Sequence, residues 1–294
     1  MRQDEERETR DEKAARPTPP ATPSAATPSA AAPSAEGPHA ERGTRNADLT
    51  AETDLGLRLA DSPPAGRRYA VKAVWRTLQG EGVWAGRPAV FVRFTGCNMW
   101  SGYARDRARD AERAACALFC DTDFRREGAA KLSAADLAAE ARRVAGGSAA
   151  DLAVLTGGEP LLQADGVLVA ALHAAGFEVA VETNGTVPLA KAFGAPPMWP
   201  DWIVCSPKRP ADETIIETMD ELKLVVPAYR PDAYIGVAER VRPHRVGARA
   251  RRALWVQPED GPRLAEAQRL AVEIAQATPG WRVSTQTHKI LDVD

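Results

Sequence analysis

Three of the four cysteines lie close together in the sequence and could jointly bind a metal centre. Cys97, Cys116 and Cys120 fall within 24 residues, in the spacing C-x18-C-x3-C. If the segment from Cys116 to Cys120 is helical, the two thiols project from one face. If it is a loop, a bulge can accommodate one additional residue between them. Three convergent thiolates favour a metal or iron–sulfur centre over a disulfide.

The chemistry of such a centre depends on how many ligands the protein supplies. A structural zinc ion normally takes four protein ligands. The fourth cysteine, Cys205, follows 85 residues after Cys120 in the apolar stretch DWIVC, where we predict a core thiol. Three cysteines on a 4Fe–4S cluster would leave one iron open to bind and reductively cleave S-adenosylmethionine (SAM). From the spacing alone, a radical SAM centre, a zinc site and unrelated buried thiols all stay open.

Short polar motifs directly follow segments with the composition of strands. They are GCN (96–98), TGGEP (156–160), ETNG (182–185), SPK (206–208), QPED (257–260) and QTHK (286–289). In folds that alternate parallel strands and helices, the chemistry gathers at the carboxyl ends of the strands. We therefore expect these motifs to form one active face.

The elements that would position these motifs alternate between strand-like and helix-like segments. Strands are predicted at 69–76, 89–94, 152–155, 177–181, 202–205, 222–226, 254–256 and 281–284, all short and rich in Val, Ile or aromatic residues. Helices are predicted after the capping residue Ser133, over 166–175 with a stop at Gly176, and over 262–277. This alternation predicts an α/β fold with a mostly parallel sheet and helices on its outer face.

The composition excludes several classes of protein. With 38 Lys and Arg against 40 Asp and Glu, the net charge of −2 is too balanced for a protein that coats nucleic acid. Four cysteines in 294 residues are too few for a disulfide-rich secreted scaffold. There is no apolar run of about 18 residues, and the acidic start resembles neither a signal nor a transit peptide. We expect a cytoplasmic protein that binds neither membranes nor nucleic acid.

The chain divides into two parts of different composition. Residues 1–66 contain no Val, Ile, Phe, Tyr, Trp or Cys but 9 of the 23 prolines, with 8 basic and 12 acidic side chains. Such a segment cannot bury enough apolar surface to offset the entropy of ordering. We predict a disordered tail over 1–66 and one catalytic domain over 67–294.

The motifs together resemble those of the 7-carboxy-7-deazaguanine synthases, radical SAM lyases of 7-deazapurine (queuosine) biosynthesis. The resemblance is carried by LQGEG (78–82), GRPAVFVRFTGCNMWSG (86–102), CDTDF (120–124), TGGEP (156–160), VETNG (181–185), VCSPK (204–208), LKLVVP (222–227), QPEDGP (257–262) and WRVSTQTHK (281–289). It extends over 69–294 in the family's order and over none of 1–66.

This resemblance implies a fold and an assembly. The fold is a partial, modified TIM-like (β/α) barrel of the radical SAM type, usually in a homodimer. The cluster ligands would be Cys97, Cys116 and Cys120. Members of one branch of the family typically have the spacing C-x14-C-x2-C, so the first gap here is four residues longer and the second one residue longer.

The resemblance also implies a reaction. The substrate would be 6-carboxy-5,6,7,8-tetrahydropterin, which loses ammonia on ring contraction to 7-carboxy-7-deazaguanine. An electron donor such as flavodoxin or ferredoxin would reduce the cluster, SAM would supply a radical that abstracts and later returns a hydrogen, and Mg²⁺ would offset the substrate's negative charge. The alternatives are another radical SAM enzyme, such as a glycyl-radical activase, and a non-catalytic zinc or iron–sulfur module.

The resemblance also implies which residues of this chain contact the cofactors. The glycines of TGGEP would let the backbone approach SAM closely, as only glycine permits. Thr122 matches a position that binds Mg²⁺ in this family, and its hydroxyl is a suitable hard oxygen donor. The SAM contacts implied are Phe119, Cys120, Asp121, Gly158, Ser206, Pro207, Lys208, Gln257, Pro258, Glu259 and Asp260.

Substrate contacts transfer in the same way. Arg93 would bind the substrate carboxylate through a planar bidentate guanidinium. The other contacts implied are Leu78, Gln79, Gly80, Thr156 and the backbone of Asp294, with Glu81, Glu182 and His288 as weaker candidates.

Overall fold

The computed structural model of the chain describes residues 66–246 and 249–293. Two of the predictions above fall outside these ranges. They are the tail over 1–66, of which only Gly66 is described, and the substrate contact of Asp294.

A nine-stranded sheet organises the described part of the chain. The eleven strands of the described residues, nine of them in this sheet, are β1 (Tyr69–Leu78), β2 (Pro88–Phe94), β3 (Ala130–Leu132), β4 (Leu152–Gly157), β5 (Glu178–Thr183), β6 (Trp202–Cys205), β7 (Glu221–Val226), β8 (His244–Val246), β9 (Arg249–Arg251), β10 (Ala253–Pro258) and β11 (Trp281–Val283). The order in the sheet is β11-β10-β7-β6-β5-β4-β2-β1-β3, and β8 pairs with β9 separately. From β2 to β11 all pairings in this sheet are parallel, whereas β1 is antiparallel to β2 and β3.

Helices connect the parallel strands. They are α1 (Arg107–Ala111), α2 (Ala134–Ala145), α3 (Gly166–Ala174), α4 (Leu189–Phe193), α5 (Ile235–Ala238), α6 (Leu264–Ala277) and α7 (Thr287–Leu291). Short 3-10 turns lie at Gly82–Trp84, Ala104–Asp106, Ala115–Leu118, Pro160–Leu162, Ala211–Glu213 and Pro231–Tyr234. None of the helices in the described ranges is long and apolar enough to cross a membrane.

The two faces of the sheet have different partners. Along β2, Val90, Val92 and Phe94 belong to the main core, which the apolar stripes of α2, α3 and α6 complete. The alternate positions face the other way. On that second face the strand register aligns Arg93 with Thr156, and Glu182, Lys223 and Gln257 project from the strands beyond. Toward the carboxyl ends of the strands this second face therefore collects polar side chains, whereas nearer the amino ends it carries a second apolar cluster that includes Leu152, Val154 and Trp202.

The α/β fold predicted from the sequence is confirmed. Each of the eight predicted strands corresponds to a strand, with ends that differ by at most two residues. The predicted cap at Ser133 is a capping box, in which Ser133 Oγ accepts from the Asp136 N–H and Asp136 accepts in return. Helix α3 ends one residue earlier than predicted, and Gly176 follows with φ +81°.

Three strands were not predicted. Strand β3 and the hairpin strands β8 and β9 have three residues each. Their sequences carry Lys or Arg and offer no apolar alternation, so they depend on pairing with a neighbouring strand rather than on a buried face.

The sheet curves toward closure through the segment that follows β1. The Thr287 N–H donates to Gly80 O at 2.9 Å, and the Gly82 N–H donates to Ser284 Oγ at 3.2 Å. These bonds join the segment after β1 to the segment after β11, at the far edge of the sheet. They give the sheet the shape of a partial barrel, with the polar face on the inside.

Candidate active site

A cavity of about 210 Å³ opens at the carboxyl ends of the parallel strands. All six polar motifs after the strands contribute side chains or backbone to it. Its predicted members are Glu81, Cys97, Cys116, Phe119, Cys120, Asp121, Thr122, Thr156, Gly158, Glu182, Ser206, Lys208, Gln257, Pro258, Glu259 and Asp260. The structure therefore brings together most of the residues that the sequence singled out.

Three free cysteines line this cavity. Cys116 lies in the 3-10 turn Ala115–Leu118, and the Cys120 N–H donates to Cys116 O at 2.8 Å. This bond sets the two cysteines one turn apart. The second cysteine gap, one residue longer than in the C-x2-C spacing, is therefore accommodated in a tight turn and not in an α-helix. Cys205 is also free but fully buried in the main core, as predicted for a core thiol.

The cysteines fit an iron–sulfur cluster by the chemistry of the donor set. Burial raises the pKa of the Cys116 thiol to about 12, although Lys208 lowers it. A thiolate is therefore costly here unless a cation compensates it, as a metal centre does. Among the described residues no group of three or more His, Cys, Asp or Glu side chains could hold a single metal ion. A 4Fe–4S cluster binds each cysteine through a different iron, so its ligands need not surround one point.

The long segment between Cys97 and Cys116 has a small core of its own. Trp100, Ala117 and Phe124 are buried against one another, with the Trp100 and Phe124 rings edge to face at 5.6 Å. The Arg107 guanidinium lies 4.6 Å from the Trp100 ring centre and donates to Ala117 O at 2.9 Å. The unusual length of this segment is thus accommodated by α1 and its packing.

Two glycines allow the backbones of neighbouring strand ends to approach closely. Gly157 has φ +136°, and a Cβ there would overlap the Phe94 backbone. A Cβ at Gly158 would overlap the Gly96 carbonyl oxygen and lie 2.8 Å from Cys97 Cβ. Only glycine therefore lets the TGGEP segment lie against the loop that carries the first cysteine.

We predict that Gly158→Ala lowers the free energy of unfolding by about 1–3 kcal/mol, the range for overpacking a close contact. It should also reduce the iron retained after reconstitution, because the new methyl group displaces Cys97. Chemical denaturation and iron analysis measure the two effects. Gly147→Ala is the matched control, since nothing lies within 4 Å of a Cβ there. Equal stability of the two variants would contradict the close approach.

The buried Glu159 side chain joins the carboxyl ends of two neighbouring strands, β4 and β5. It accepts hydrogen bonds from the Leu161 N–H at 2.9 Å, Thr183 Oγ1 at 2.8 Å and the Asn184 N–H at 2.7 Å. Burial raises the pKa of Glu159 to about 7, against the lowering effect of these bonds. Asn184 Nδ2 in turn donates to Asn98 Oδ1 at 2.8 Å, beside Cys97. This network fixes the ETNG segment relative to the cysteine loop.

Charged side chains of the SPK, QPED and QTHK segments form hydrogen bonds and ion pairs at the cavity. Lys208 Nζ donates to Ser206 Oγ at 2.6 Å and Ser206 O at 3.0 Å, and burial lowers the pKa of Lys208. The buried Glu259 accepts from Arg263 at 2.8 and 3.0 Å. Lys289 pairs with both Asp260 and Asp121, at 2.9 Å for Asp121. The Asp121 segment and the QPED segment are thereby joined across the mouth of the cavity.

A second charged group lies on the sheet side of the cavity. Lys223 forms an ion pair with Glu81, which also accepts from Gln257 Nε2 at 2.9 Å and Gln286 Nε2 at 3.0 Å. Burial alone would raise the pKa of Glu81, but Lys223 and these amides lower it to about 2. Glu81 is therefore ionised at neutral pH, and the pair carries no net charge.

Glu182 completes this part of the cavity. It accepts from Gln79 Nε2 at 3.1 Å and from Thr156 Oγ1 at 3.3 Å. Its carboxylate thus presents hydrogen-bond acceptors beside the Glu81–Lys223 pair. Such an arrangement can bind a ligand that carries N–H donors.

Several cavity residues were not among the predicted site residues. Lys223, Asn184 and Gln286 line the cavity and make the contacts just described. Lys223 carried a readable signal, because a lone lysine in the otherwise apolar strand ELKLVV needs a buried partner. Asn184 and Gln286 lie inside motifs that the sequence had identified, yet their side chains had no distinguishing pattern.

Other predicted contacts do not line the cavity. They are Leu78, Gln79, Gly80, Arg93, Pro207 and His288. Gln79 and Gly80 still support it, Gln79 by binding Glu182 and Gly80 by packing against the His288 ring. Leu78 borders a separate surface cavity beside Asp292 and Val293. For Pro207 the SAM contact, and for the others the substrate contact, stays a prediction.

Arg93 projects from the same face as Thr156 but its guanidinium lies 4.7 Å from the centre of the Trp75 ring. Arg93 Nε is buried and has no hydrogen-bond partner among the described residues. It is one strand away from the cavity and retains free donors for an anionic ligand.

Comparisons with known proteins connect this site to a family. No family model matches the chain. The 7-carboxy-7-deazaguanine synthase of Caulobacter vibrioides is 44% identical over 229 residues, which cover 76% of this chain and 98% of that protein. Its counterpart in Bordetella pertussis is 45% identical over 232 residues, covering 76% and 99%.

A solved structure supports the fold. The crystal structure of QueE from Escherichia coli is similar with a TM-score of 0.53 and 24% identity, covering 75% of this chain and 95% of that one. At this identity the likeness concerns the fold alone. The identities of 44% and 45% over nearly the whole length of the two synthases carry the assignment: the chain belongs to the 7-carboxy-7-deazaguanine synthase family.

Proposed function

We propose that this chain converts 6-carboxy-5,6,7,8-tetrahydropterin into 7-carboxy-7-deazaguanine with loss of ammonia. The observation that carries the proposal is one cavity that combines three free cysteines with the charged Glu81–Lys223 pair, in a member of this family. When bound, a 4Fe–4S cluster supplies the electron that cleaves SAM into methionine and a 5′-deoxyadenosyl radical, which takes hydrogen from the substrate.

The protein's part in this chemistry is to bind, orient and shield. Cys97, Cys116 and Cys120 would hold the cluster. The close backbone approach at Gly158 leaves peptide groups free to meet the amino group of SAM. Across the cavity, Ser206, Lys208 and the stretch 257–260 would hold the rest of SAM, together with Phe119 and Asp121. Closure of the site around these groups excludes water from the radical.

On the sheet side, the donors and acceptors are arranged for a carboxylated pterin. The acceptors of Glu182 suit the N–H groups of a pterin ring, whereas Arg93, whose buried Nε has no partner among the described residues, would bind its carboxylate. Thr122 would contribute a hydroxyl to Mg²⁺, with substrate oxygens and water as further ligands. The family resemblance also implies substrate contacts by the backbone of Asp294 and, as weaker candidates, by Glu81 and His288.

Anaerobic reconstitution with iron and sulfide tests the proposal. We expect about four irons per chain and Mg²⁺-stimulated formation of 7-carboxy-7-deazaguanine from the carboxypterin, with SAM regenerated. A fully clustered protein that makes no product would refute the substrate assignment. Net SAM consumption without carboxypterin turnover would favour a glycyl-radical activase, and tight zinc without radical chemistry would favour a binding module.

We also infer that turnover needs only residues 67–294. The relatives match 76% of this chain but 98–99% of their own length, so they have no counterpart to the remaining quarter. Deletion of 1–66 should leave kcat and KM within about twofold of the full chain, because surface changes outside a site are usually near neutral. A loss of tenfold or more in kcat/KM would contradict this boundary.

The electron donor and the assembly complete the proposal. A low-potential carrier such as flavodoxin or ferredoxin would reduce the cluster, and the family resemblance implies a homodimer. Sedimentation of the reconstituted protein tests the second point.

A further inference from the structure

The segment between the first two cysteines is nearly balanced in charge by sequence but not at its surface. Residues 104–113, ARDRARDAER, contain four arginines and three acids. The fold turns two of the acids inward. Asp110 is 2% exposed and accepts from the Ser101 N–H at 2.8 Å, and Asp106 accepts from the Ser101 hydroxyl at 3.2 Å. The side chains of Arg105 and Arg109 are 75% and 65% exposed, although Arg105 lies 3.8 Å from Asp106 and Arg109 pairs with Asp106 at 3.3 Å and with Asp110 at 2.9 Å.

The outward arginines share one side of this segment. Arg105, Arg109 and Arg113 recur every fourth residue through α1 and its flanking turns, the spacing that aligns side chains along a helix. The Arg113 side chain is exposed and makes no ion pair or hydrogen bond with any residue in the described ranges. Three arginines of this mixed sequence are thus exposed, against one exposed acid, Glu112.

An apolar side chain is exposed in the turn between two of the cysteines. Leu118 is 60% exposed although it lies in the turn that connects Cys116 to Cys120. An exposed leucine between two proposed cluster ligands offers an apolar contact point. We call Arg105, Arg109, Arg113 and Leu118 together the arginine face.

We propose that the arginine face docks an acidic one-electron carrier protein, which delivers its electron to the cluster at this point. The inference rests on the proposed function, since it requires a cluster on the three cysteines. One electron leaves the reduced carrier and enters the cluster; no bond forms or breaks and no proton moves. Cys116 and Cys120 flank Leu118 in the chain, so a carrier seated over Leu118 lies beside two of the three proposed cluster ligands.

The composition of the face suits a transient contact of this kind. Exposed surface cations steer an acidic partner and raise its association rate, with a strong dependence on ionic strength. A small contact around one apolar side chain is typical of electron-transfer complexes, which must dissociate quickly. A second copy of this chain is disfavoured as the occupant, because a two-fold interface centred on this face would oppose arginine to arginine.

The test compares two charge reversals of equal size in the cluster-loaded protein. Arg105→Glu with Arg113→Glu alters the arginine face. Arg249→Glu with Arg251→Glu is the control, because these exposed arginines lie on the β8–β9 hairpin, just before the amino end of β10 and away from the cysteines. Flavodoxin is the probe, with its affinity measured by calorimetry and the cluster reduction measured by stopped-flow absorbance.

We expect the first double variant to bind flavodoxin at least about tenfold more weakly at low salt and to be reduced correspondingly more slowly. Its iron content and its turnover with dithionite should match those of the unmodified protein, as should every property of the hairpin control. Leu118→Ser should also weaken binding, but with an unchanged salt dependence, since it removes no charge.

Two outcomes would overturn the proposal. One is unchanged flavodoxin affinity in the Arg105 and Arg113 double variant; the other is an equal loss in the hairpin control, which would indicate a general effect of charge. Failure of the proposed function is a separate result, because dithionite-driven turnover would then be absent from the unmodified protein while the binding measurement still decides the docking site.

Discussion

Cys116→Ala is expected to abolish SAM cleavage and to lower the iron bound after anaerobic reconstitution from about four atoms per chain. Cys116 lines the cavity beside Cys97 and Cys120 and lies in the tight turn that leads to Cys120. With only two of its three cysteine ligands left, the cluster is bound more weakly and should dissociate more readily. Iron analysis, the visible spectrum and SAM cleavage with dithionite measure the three consequences.

Cys205→Ala is the matched control for this experiment. Cys205 is free and fully buried, like Cys116, but it belongs to the main core and not to the cavity lining. It should retain the full iron content and turnover, with at most a modest loss of stability. An iron content in the Cys116 variant equal to that of this control would show that the ligand assignment is wrong.

Lys223→Met is expected to lower the free energy of unfolding by about 3–5 kcal/mol, the cost of removing one partner from a buried ion pair. The Lys223 side chain is 6% exposed and its partner Glu81 14% exposed. In the variant the Glu81 carboxylate stays buried with only the amides of Gln257 and Gln286 for partners. Chemical denaturation at pH 7 measures the loss.

The double variant Glu81→Gln with Lys223→Met distinguishes the effect of the ion pair on stability from the effect of side-chain packing. It should be more stable than Lys223→Met alone, because no uncompensated charge remains buried. Equal stability of the two would indicate that Lys223 acts through packing only.

The pH dependence gives an independent check on the same pair. In the folded protein the pKa of Glu81 is lowered from 4.5 to about 2, so its stabilising contribution is present above pH 4.5 and is lost as the pH falls toward 2. In Lys223→Met, burial without the cation raises the pKa of Glu81, so that ionisation of Glu81 destabilises the folded protein. The variant should therefore lose stability relative to the parent as the pH rises above 4.5. A constant stability difference between pH 4 and 7 would contradict the ion pair.

Much of the site could be predicted from local patterns. Motifs such as TGGEP and QPED follow short strands rich in β-branched residues, and the carboxyl ends of parallel strands meet at one edge of a sheet. Their convergence on one cavity therefore needed only the correct order of elements. The role of Cys205 as a core thiol was equally readable, because its neighbours in DWIVC are apolar.

Contacts between distant segments could not be predicted in this way. Glu81 and Lys223 are separated by 142 residues, and nothing near either one specifies the other. Arg93 lies over Trp75, and Gly80 packs against His288, because of the sheet register and the segment that links its edges. These partnerships depend on which strand ends meet in space.

The sequence by itself determined the α/β fold, the family resemblance and the three cysteines, since each is a matter of local composition, order or spacing. The tertiary structure decided how the long cysteine segment folds, which acids it buries and which arginines it exposes, and which charge neutralises Lys223. Periodicity and spacing act over a few residues, whereas burial and charge pairing are set by the segments that the complete fold brings together.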